Sequence, residues 1–442
     1  MKAIRRYYWL TQKFLSRHYK VILRTTFVVL VLSSALIYFS RYLPTPKQYT
    51  RIGLVGKFSP ETLPLLIQSQ VSQGLVTVNA DGDPEPALAK SWVVSEDKLV
   101  YTFLLDPDIK WHDGSSLKPE DVVYNFKEVE SSYEEGKVIF KLKEPFAPFM
   151  NAVARPILKN SKIGTGQFSI IASRVNTGVV QSITLSSPKE KLTYKFYPTE
   201  TSAITAFKLG EIDKVENISY VADDLLDDSS VNTTKNSSLA RIAVLFFNNN
   251  DNLLTSKTAR QGLAYAIKDK TFGYTRALSP IDQESWAYNP LVKDYEHDAG
   301  RAKALFSTDI ENLGMVKIEL KTSLQYLDIA EAIANDWRQI LGIAVDVKVV
   351  TNISSDYQVL LTDFAPPSDP DQYTVWHSTQ PTNFTHYSNL KIDKLLEDGR
   401  RTMDKKLRID IYQDFQRFLL EDSPAVFLFR TSGFTIERKP LF

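Results

Sequence analysis

Residues Val316–Val350, VKIELKTSLQYLDIAEAIANDWRQILGIAVDVKVV, decide the fold class. Val316, Ile318 and Leu320 alternate with polar residues, the period of a strand with one buried face. From Asp328 to Leu341 the apolar residues Ile329, Ile333, Trp337, Ile340 and Leu341 recur at helical spacing, so one side of a helix is apolar. Gly342 stops that helix, and Ile343, Val345, Val347 and Val349 alternate again. Two strands joined by a helical crossover of this length pair in parallel. The expected fold class is therefore α/β.

Outward from this unit the same grammar recurs. Glu200–Leu209 reads as a helix with Gly210 after it, Ser256 caps another, and Lys405–Leu420 carries Leu407, Ile411, Phe415, Phe418 and Leu419 on one face. Leu239–Phe247 and Ala425–Phe429 are apolar strands. The chain has 442 residues, 43% hydrophobic and 24% charged, enough for two or more domains. Its net charge of +1 conceals an asymmetry: residues 1–48 hold nine Lys or Arg and no acid, leaving 44 basic against 52 acidic residues beyond. A nucleic-acid partner is excluded on this ground, because such a protein concentrates its basic surface on the folded domain.

The basic segment 1–20 precedes Val21–Phe39, nineteen residues whose one charge is Arg24. At about 1.5 Å per residue this run comes close to the ~30 Å of a bilayer's hydrocarbon core. The bias of Lys and Arg toward the N-terminal side places that end in the cytoplasm. A cleaved signal peptide and a buried helix are the alternatives, but Leu36–Leu43 offers no small-residue cleavage site. The expectation is a transmembrane anchor over 21–40 and a Pro44–Pro46 linker within 41–49. With no cysteine, neither a disulfide nor a lipidated cysteine is available.

From Asp83 to Phe126 four short patterns follow in order. Pro86-Ala-Leu-Ala-Lys-Ser-Trp92 comes first, then the strand Leu99–Leu105 with Tyr101 and Phe103 on one face. Trp111-His-Asp-Gly114 makes a turn, and Pro119-Glu-Asp-Val-Val-Tyr124 opens a helix expected to bury Val122, Val123, Phe126 and Val129. Together they resemble the signature of the family-five extracellular solute-binding proteins, the peptide-binding components of bacterial ABC importers. Ile163-Gly-Thr-Gly-Gln-Phe168, Phe247-Asn248 and Arg260-Gln-Gly-Leu-Ala-Tyr-Ala-Ile267 extend the resemblance. It departs where a long helical insertion is shortened to residues 127–162, and where Gln167 replaces a proline.

The resemblance implies a two-lobed, type II periplasmic-binding-protein-like fold (cluster C-like): lobe I over 50–245, lobe II over 246–425, and a return to lobe I over 426–442. It also implies a cleft between the lobes, with crossings near 247 and 427. Peptide-binding members carry an acid for the peptide's α-ammonium in the loop after Phe364; here that position falls on Pro366 or Pro367, and Asp363 or Asp369 are the substitutes at hand. The expected ligand-binding residues are Asn248, Trp286, Asp363, Phe364, Pro366, Asp369, Tyr373 and Trp376.

Catalysis finds no support: the sequence lacks Gly-x-Ser-x-Gly, His-Glu-x-x-His and cysteine, and its five histidines are scattered. No cofactor or metal is implied. The expected function is capture of a peptide or similar small polar solute outside the cytoplasm and delivery to ABC permease subunits. An anchored sensor using the same cleft is the alternative, with an extracytoplasmic hydrolase behind it.

Overall fold

The computed structural model describes residues 2–40, 47–221, 223–310, 316–350 and 356–439. The chain divides into two compact units, Met1–Tyr49 with Pro188–Lys191, and Thr50–Ser187 with Leu192–Phe442. The first contains a 39-residue helix, Lys2–Ser40. Apolar side chains along it are exposed, among them Leu23, Phe27 and Leu30. Among the described residues, no helix is long and apolar enough to cross a membrane. The expected span Val21–Phe39 reaches beyond them, because the side chains of residues 35–37 and 39 are not described; the Pro44–Pro46 linker lies outside the described residues.

The second unit is built on a large mixed sheet. Its strands run in the spatial order 344–349, 317–322, 359–364, 231–247, 425–438, 214–218, 48–55, 190–197, 179–186 and 169–176. The expected strand–helix–strand unit stands at one edge. Lys317–Thr322 and Ala344–Val349 pair in parallel, with Ile318 opposite Val345 and Leu320 opposite Val347. The helix Leu327–Leu341 crosses between them and ends at Gly342, whose φ of 70° lies in the left-handed region. Its apolar side is sealed by Trp337, fully buried, whose indole Nε1 donates to the Leu263 carbonyl at 2.9 Å.

Two long antiparallel strands, Val231–Phe247 and Ala425–Arg438, run through the middle of this sheet. Residues 242–247 pair with Val359–Phe364 on one side, while residues 434–437 pair with Lys214–Ile218 on the other. Both halves of the sheet therefore share these two strands. They are longer than their apolar runs, because Thr233–Asn236 and Gly433–Arg438 carry polar residues that conceal the strand period.

A separate four-stranded antiparallel sheet, in the order 89–94, 100–105, 137–142, 129–134, buries Tyr101, Phe103, Val138 and Phe140. Here one expectation fails. The helix opened by Pro119 is a single 3₁₀ turn, Pro119–Asp121. Asp121 Oδ2 accepts from the Trp111 indole at 3.0 Å and from the Lys118 amide at 3.0 Å, which fixes the turn. Beyond it Tyr124 and Phe126 stack at 5.1 Å, an arrangement closed to residues i and i+2 of a helix. Val123 is consequently exposed, and Val129 starts the strand Val129–Glu134.

The Gly164–Gly166 turn is structural. A Cβ on Gly164 would lie 2.0 Å from the Val71 carbonyl oxygen, so the turn packs backbone to backbone against the helix Leu65–Val71. His112 ties it down, with Nε2 2.8 Å from the Gly166 carbonyl and Nδ1 accepting from the Gly164 amide at 3.3 Å. Gly164→Ala must push the turn off that helix; urea unfolding is expected to show a loss of about 1–3 kcal/mol, the usual cost of overpacking.

Candidate functional site

A cleft of about 640 Å³ separates two walls of the second unit. One wall comprises Leu65, Val78–Ala80, Gly82, Asn151, Ala154 and Arg155; the other comprises Asp282, Glu284–Trp286, Pro366–Ser368 and Arg430. Arg155 follows the short helix Phe149–Val153, and Pro156 prevents that helix from continuing. The Arg155 carbonyl accepts from the Tyr124 hydroxyl at 3.0 Å, so the backbone is held while the side chain is exposed. Among the described residues, no carboxylate pairs with the Arg155 guanidinium.

The opposite wall is internally paired. Arg430, on the long strand Ala425–Arg438, reaches Asp282 Oδ1 and Glu284 Oε1 from the same Nη2, at 3.2 Å each. Its Nε is buried and has no acceptor. Asp282 also accepts from the Glu284 amide at 2.9 Å, which shapes the turn that presents both acids. Trp286 lines the same wall, with Lys405 and Arg408 5.7 and 5.2 Å from its ring.

Of the eight residues expected to bind ligand, Trp286 and Pro366 line this cleft. Asp369 is spoken for. Arg408 Nη2 and Nη1 donate to it at 2.8 and 3.3 Å, Asn151 Nδ2 donates at 2.9 Å, and the Asp371 amide closes its own turn on Oδ1 at 2.9 Å. Burial works against the Arg408 charge, but the Asp369 carboxylate together with Tyr412 outweighs it and holds the guanidinium pKa above its ordinary value. The neighbouring Asp371 carboxyl is pushed up by burial, despite Arg400 Nε at 2.9 Å.

Asp363 borders a different, small cavity of about 60 Å³. It accepts from the Tyr326 hydroxyl at 2.5 Å and the Gln325 amide at 2.9 Å; burial, then the Asp363 charge, push the Tyr326 phenol far up. Phe364 and Trp376 belong to the core, Trp376 being fully buried beside Phe246 with its indole on Gln372. Asn248 spends its side chain on the Tyr357 carbonyl at 2.8 Å and the Asn250 amide at 3.0 Å. Tyr373 lies between the Arg400 guanidinium at 3.9 Å and the His377 ring at 4.1 Å.

The sequence reading missed Arg155, Asp282, Glu284 and Arg430. A cation following the apolar strand Ala425–Phe429 was the available signal for Arg430; Arg155 stood in no pattern. Among the described residues, no group of three or more His, Cys, Asp or Glu is placed to hold a metal ion.

Comparison with known proteins places the chain in a family. Residues 83–137 and 187–386 match the bacterial extracellular solute-binding proteins, family 5 (middle). The chain belongs to this family. Family 5 relatives include the dipeptide-binding protein of Escherichia coli K12, 24% identical over 447 residues, spanning 80% of this chain and 82% of the relative. The nickel-binding periplasmic protein of the same organism is 27% identical over 341 residues, spanning 62% of this chain and 65% of the relative. NikZ of Campylobacter jejuni, solved with Ni(L-His), superposes at a TM-score of 0.76 with 22% identity, over 89% of this chain and 95% of NikZ. AppA of Bacillus subtilis, solved with a nonapeptide, gives a TM-score of 0.70 with 20% identity over 89% and 95% of the two chains. The fold is thus the mixed α/β, two-lobed periplasmic-binding-protein-like one, and the family consists of solute-binding proteins rather than enzymes.

The Asp369–Arg408 pair yields a direct expectation. Arg408→Met leaves a buried carboxylate without its cation and is expected to cost about 3–5 kcal/mol in chemical denaturation, much of it recovered by adding Asp369→Asn.

Proposed function

We propose that this family 5 protein captures a peptide or a similar small polar solute in the cleft and delivers it to ABC permease subunits, with ATP hydrolysed by a separate partner because this chain has no Walker motif. The observation that carries this reading is the cleft itself, whose wall presents Arg155 with no acidic partner among the described residues. A guanidinium in that position suits a carboxylate or another planar anion through paired N–H donors. Trp286, Leu65 and Val78 supply apolar surface beside it, the usual composition of a small-solute site. In this reading Trp286 and Pro366 touch the solute, while Asn248, Asp363, Phe364, Asp369, Tyr373 and Trp376 shape the loops around it. The lobes take the boundaries given above, 50–245 with 426–442, and 246–425, and closure of one on the other traps the solute.

The binding unit is proposed to stand outside the cytoplasm, tethered by the N-terminal helix with residues 1–20 inside. Support comes from the full apolar run Val21–Phe39 and from the exposure of Leu23, Phe27 and Leu30 along it. The described side chains do not by themselves make a span.

Native mass spectrometry of the full-length chain purified from its host is expected to reveal a co-purified small solute bearing an anionic group. Arg155→Glu should weaken its binding by about 10- to 100-fold, the worth of one charge-assisted hydrogen-bond set. Absence of any bound solute, together with no response to dipeptides or tripeptides in thermal-shift assays, would contradict the reading. Alkaline carbonate washing should leave the chain with the membrane fraction and release a variant lacking residues 1–40.

A further inference from the structure

The turn between the helices Leu390–Arg401 and Lys405–Asp422 does more than join them. It lies against the domain of the smaller sheet, across the cleft from its own neighbours. Met403 packs on the core cluster that contains Tyr101, Phe140 and Phe149. The Ala147 amide donates to the Arg400 carbonyl at 2.6 Å. Arg401 donates twice to Glu144 Oε2, from Nη2 at 2.7 Å and from Nε at 3.0 Å. Lys405 Nζ reaches Asp83 Oδ1 at 2.9 Å and the Asp81 carbonyl at 2.7 Å.

Two of the cleft's own lining residues join the same contact. Asn151 reaches across to Asp369, which Arg408 holds from the other side. Gly82 abuts Trp286 so closely that a Cβ would stand 2.5 Å from the indole nitrogen. Arg400 completes the seam, its guanidinium lying over Phe146 at 5.4 Å and over Tyr373 at 3.9 Å. The bonds join positions 218 to 324 residues apart, so they are tertiary contacts and not local turn geometry.

Basic charge dominates one side: apart from Asp404, which caps its own helix, the turn and the start of the following helix offer Arg400, Arg401, Lys405 and Arg408; the facing loops offer Asp81, Asp83 and Glu144, with Asp369 and Asp371 set between. We propose that the segment Arg400–Lys405 is an electrostatic latch that holds the two walls of the cleft together and sets the balance between closed and open forms. Arg401 and Lys405 are positioning residues in this scheme: they touch no solute and act through the opposite wall. Each exposed pair is weak alone and is screened by salt. Met403 and the Ala147–Arg400 backbone bond give the latch a fixed seat. The same seam accounts for Asp369, an acid in the solute-reading loop that is spent on closure. The inference goes beyond the transport reading, since it holds whichever solute the cleft takes.

The chain has no cysteine, so two introduced cysteines are the one labelled pair. Val93→Cys on the smaller sheet and Leu390→Cys beside the latch helix are both strongly exposed, at 70% and 86%. Spin labels there, read by double electron–electron resonance on the otherwise unaltered full-length chain at low salt, are expected to give one narrow distance. Arg401→Glu with Lys405→Glu should raise the ratio of open to closed forms about 5- to 30-fold, seen as a longer second distance. Raising the salt concentration should move the unreversed chain the same way. Adding Glu144→Arg and Asp83→Arg to the reversed pair should restore the narrow peak, a recovery that misfolding cannot imitate. A broad distribution at low salt before any reversal, a distance unchanged by the reversal, or failure of the swap to restore it would each overturn the latch.

Discussion

The large sheet of the second unit depends on the antiparallel pairing of Val231–Phe247 with Ala425–Arg438. These strands receive Val359–Phe364 on one side and Lys214–Ile218 on the other, so a continuous ladder runs from the strand–helix–strand edge to the Ser169–Ser186 hairpin. Backbone hydrogen bonds leave the pair stiff along its length, and its register shifts between Asn236 and Arg241. Strands that join two halves can let them change their relative angle, with the Arg400–Lys405 seam as the further contact between the walls, which suits closure on a solute. Arg430 rises from one of these strands into the cleft, which ties the solute wall to the same element.

The cleft's chemistry is a matter of which charges remain unclaimed. Asp369 answers to Arg408 and Asn151, Asp363 to Tyr326 and Gln325, and both acids of the 282–284 turn to Arg430. Arg155 has no such partner among the described residues. Desolvating a charge without a counter-charge costs several kcal/mol, so closure around Arg155 favours a solute that brings an anion with it. The position where the family resemblance implies an acid for a peptide's free amine falls on Pro366 or Pro367, and Asp363 and Asp369 are already engaged.

Elements with a strong period were legible in the sequence. Leu327–Leu341 declares itself through Ile333, Trp337 and Ile340, and Lys405–Asp422 through Phe415 and Leu419, because burial along one face dictates the pattern. The family signature from Asp83 to Phe126 identified the scaffold even where its last helix shrank to one turn. That error has a local cause: helical propensity and a well-placed Pro119 yielded to the Trp111–Asp121 bond and to aromatic packing among Tyr124, Phe126 and Phe140. The site was less legible. Whether Asp369 is free depends on Arg408, and whether Arg155 has a carboxylate partner depends on residues far from it in the chain. Neither fact has a local trace. Of the aromatic residues in the loop, Trp376 is fully buried in the core, while Tyr373 is partly buried between Arg400 and His377.

The central claim is that solute recognition happens between the two walls described here. Hydrogen–deuterium exchange on the full-length protein, with and without its co-purified solute, tests it most directly. The account predicts added protection concentrated at residues 79–82, 151–155 and 282–286, with the strands beneath them unchanged. Protection confined to the small cavity around Asp363 and Tyr326, or spread evenly over the chain without these three segments, would contradict it.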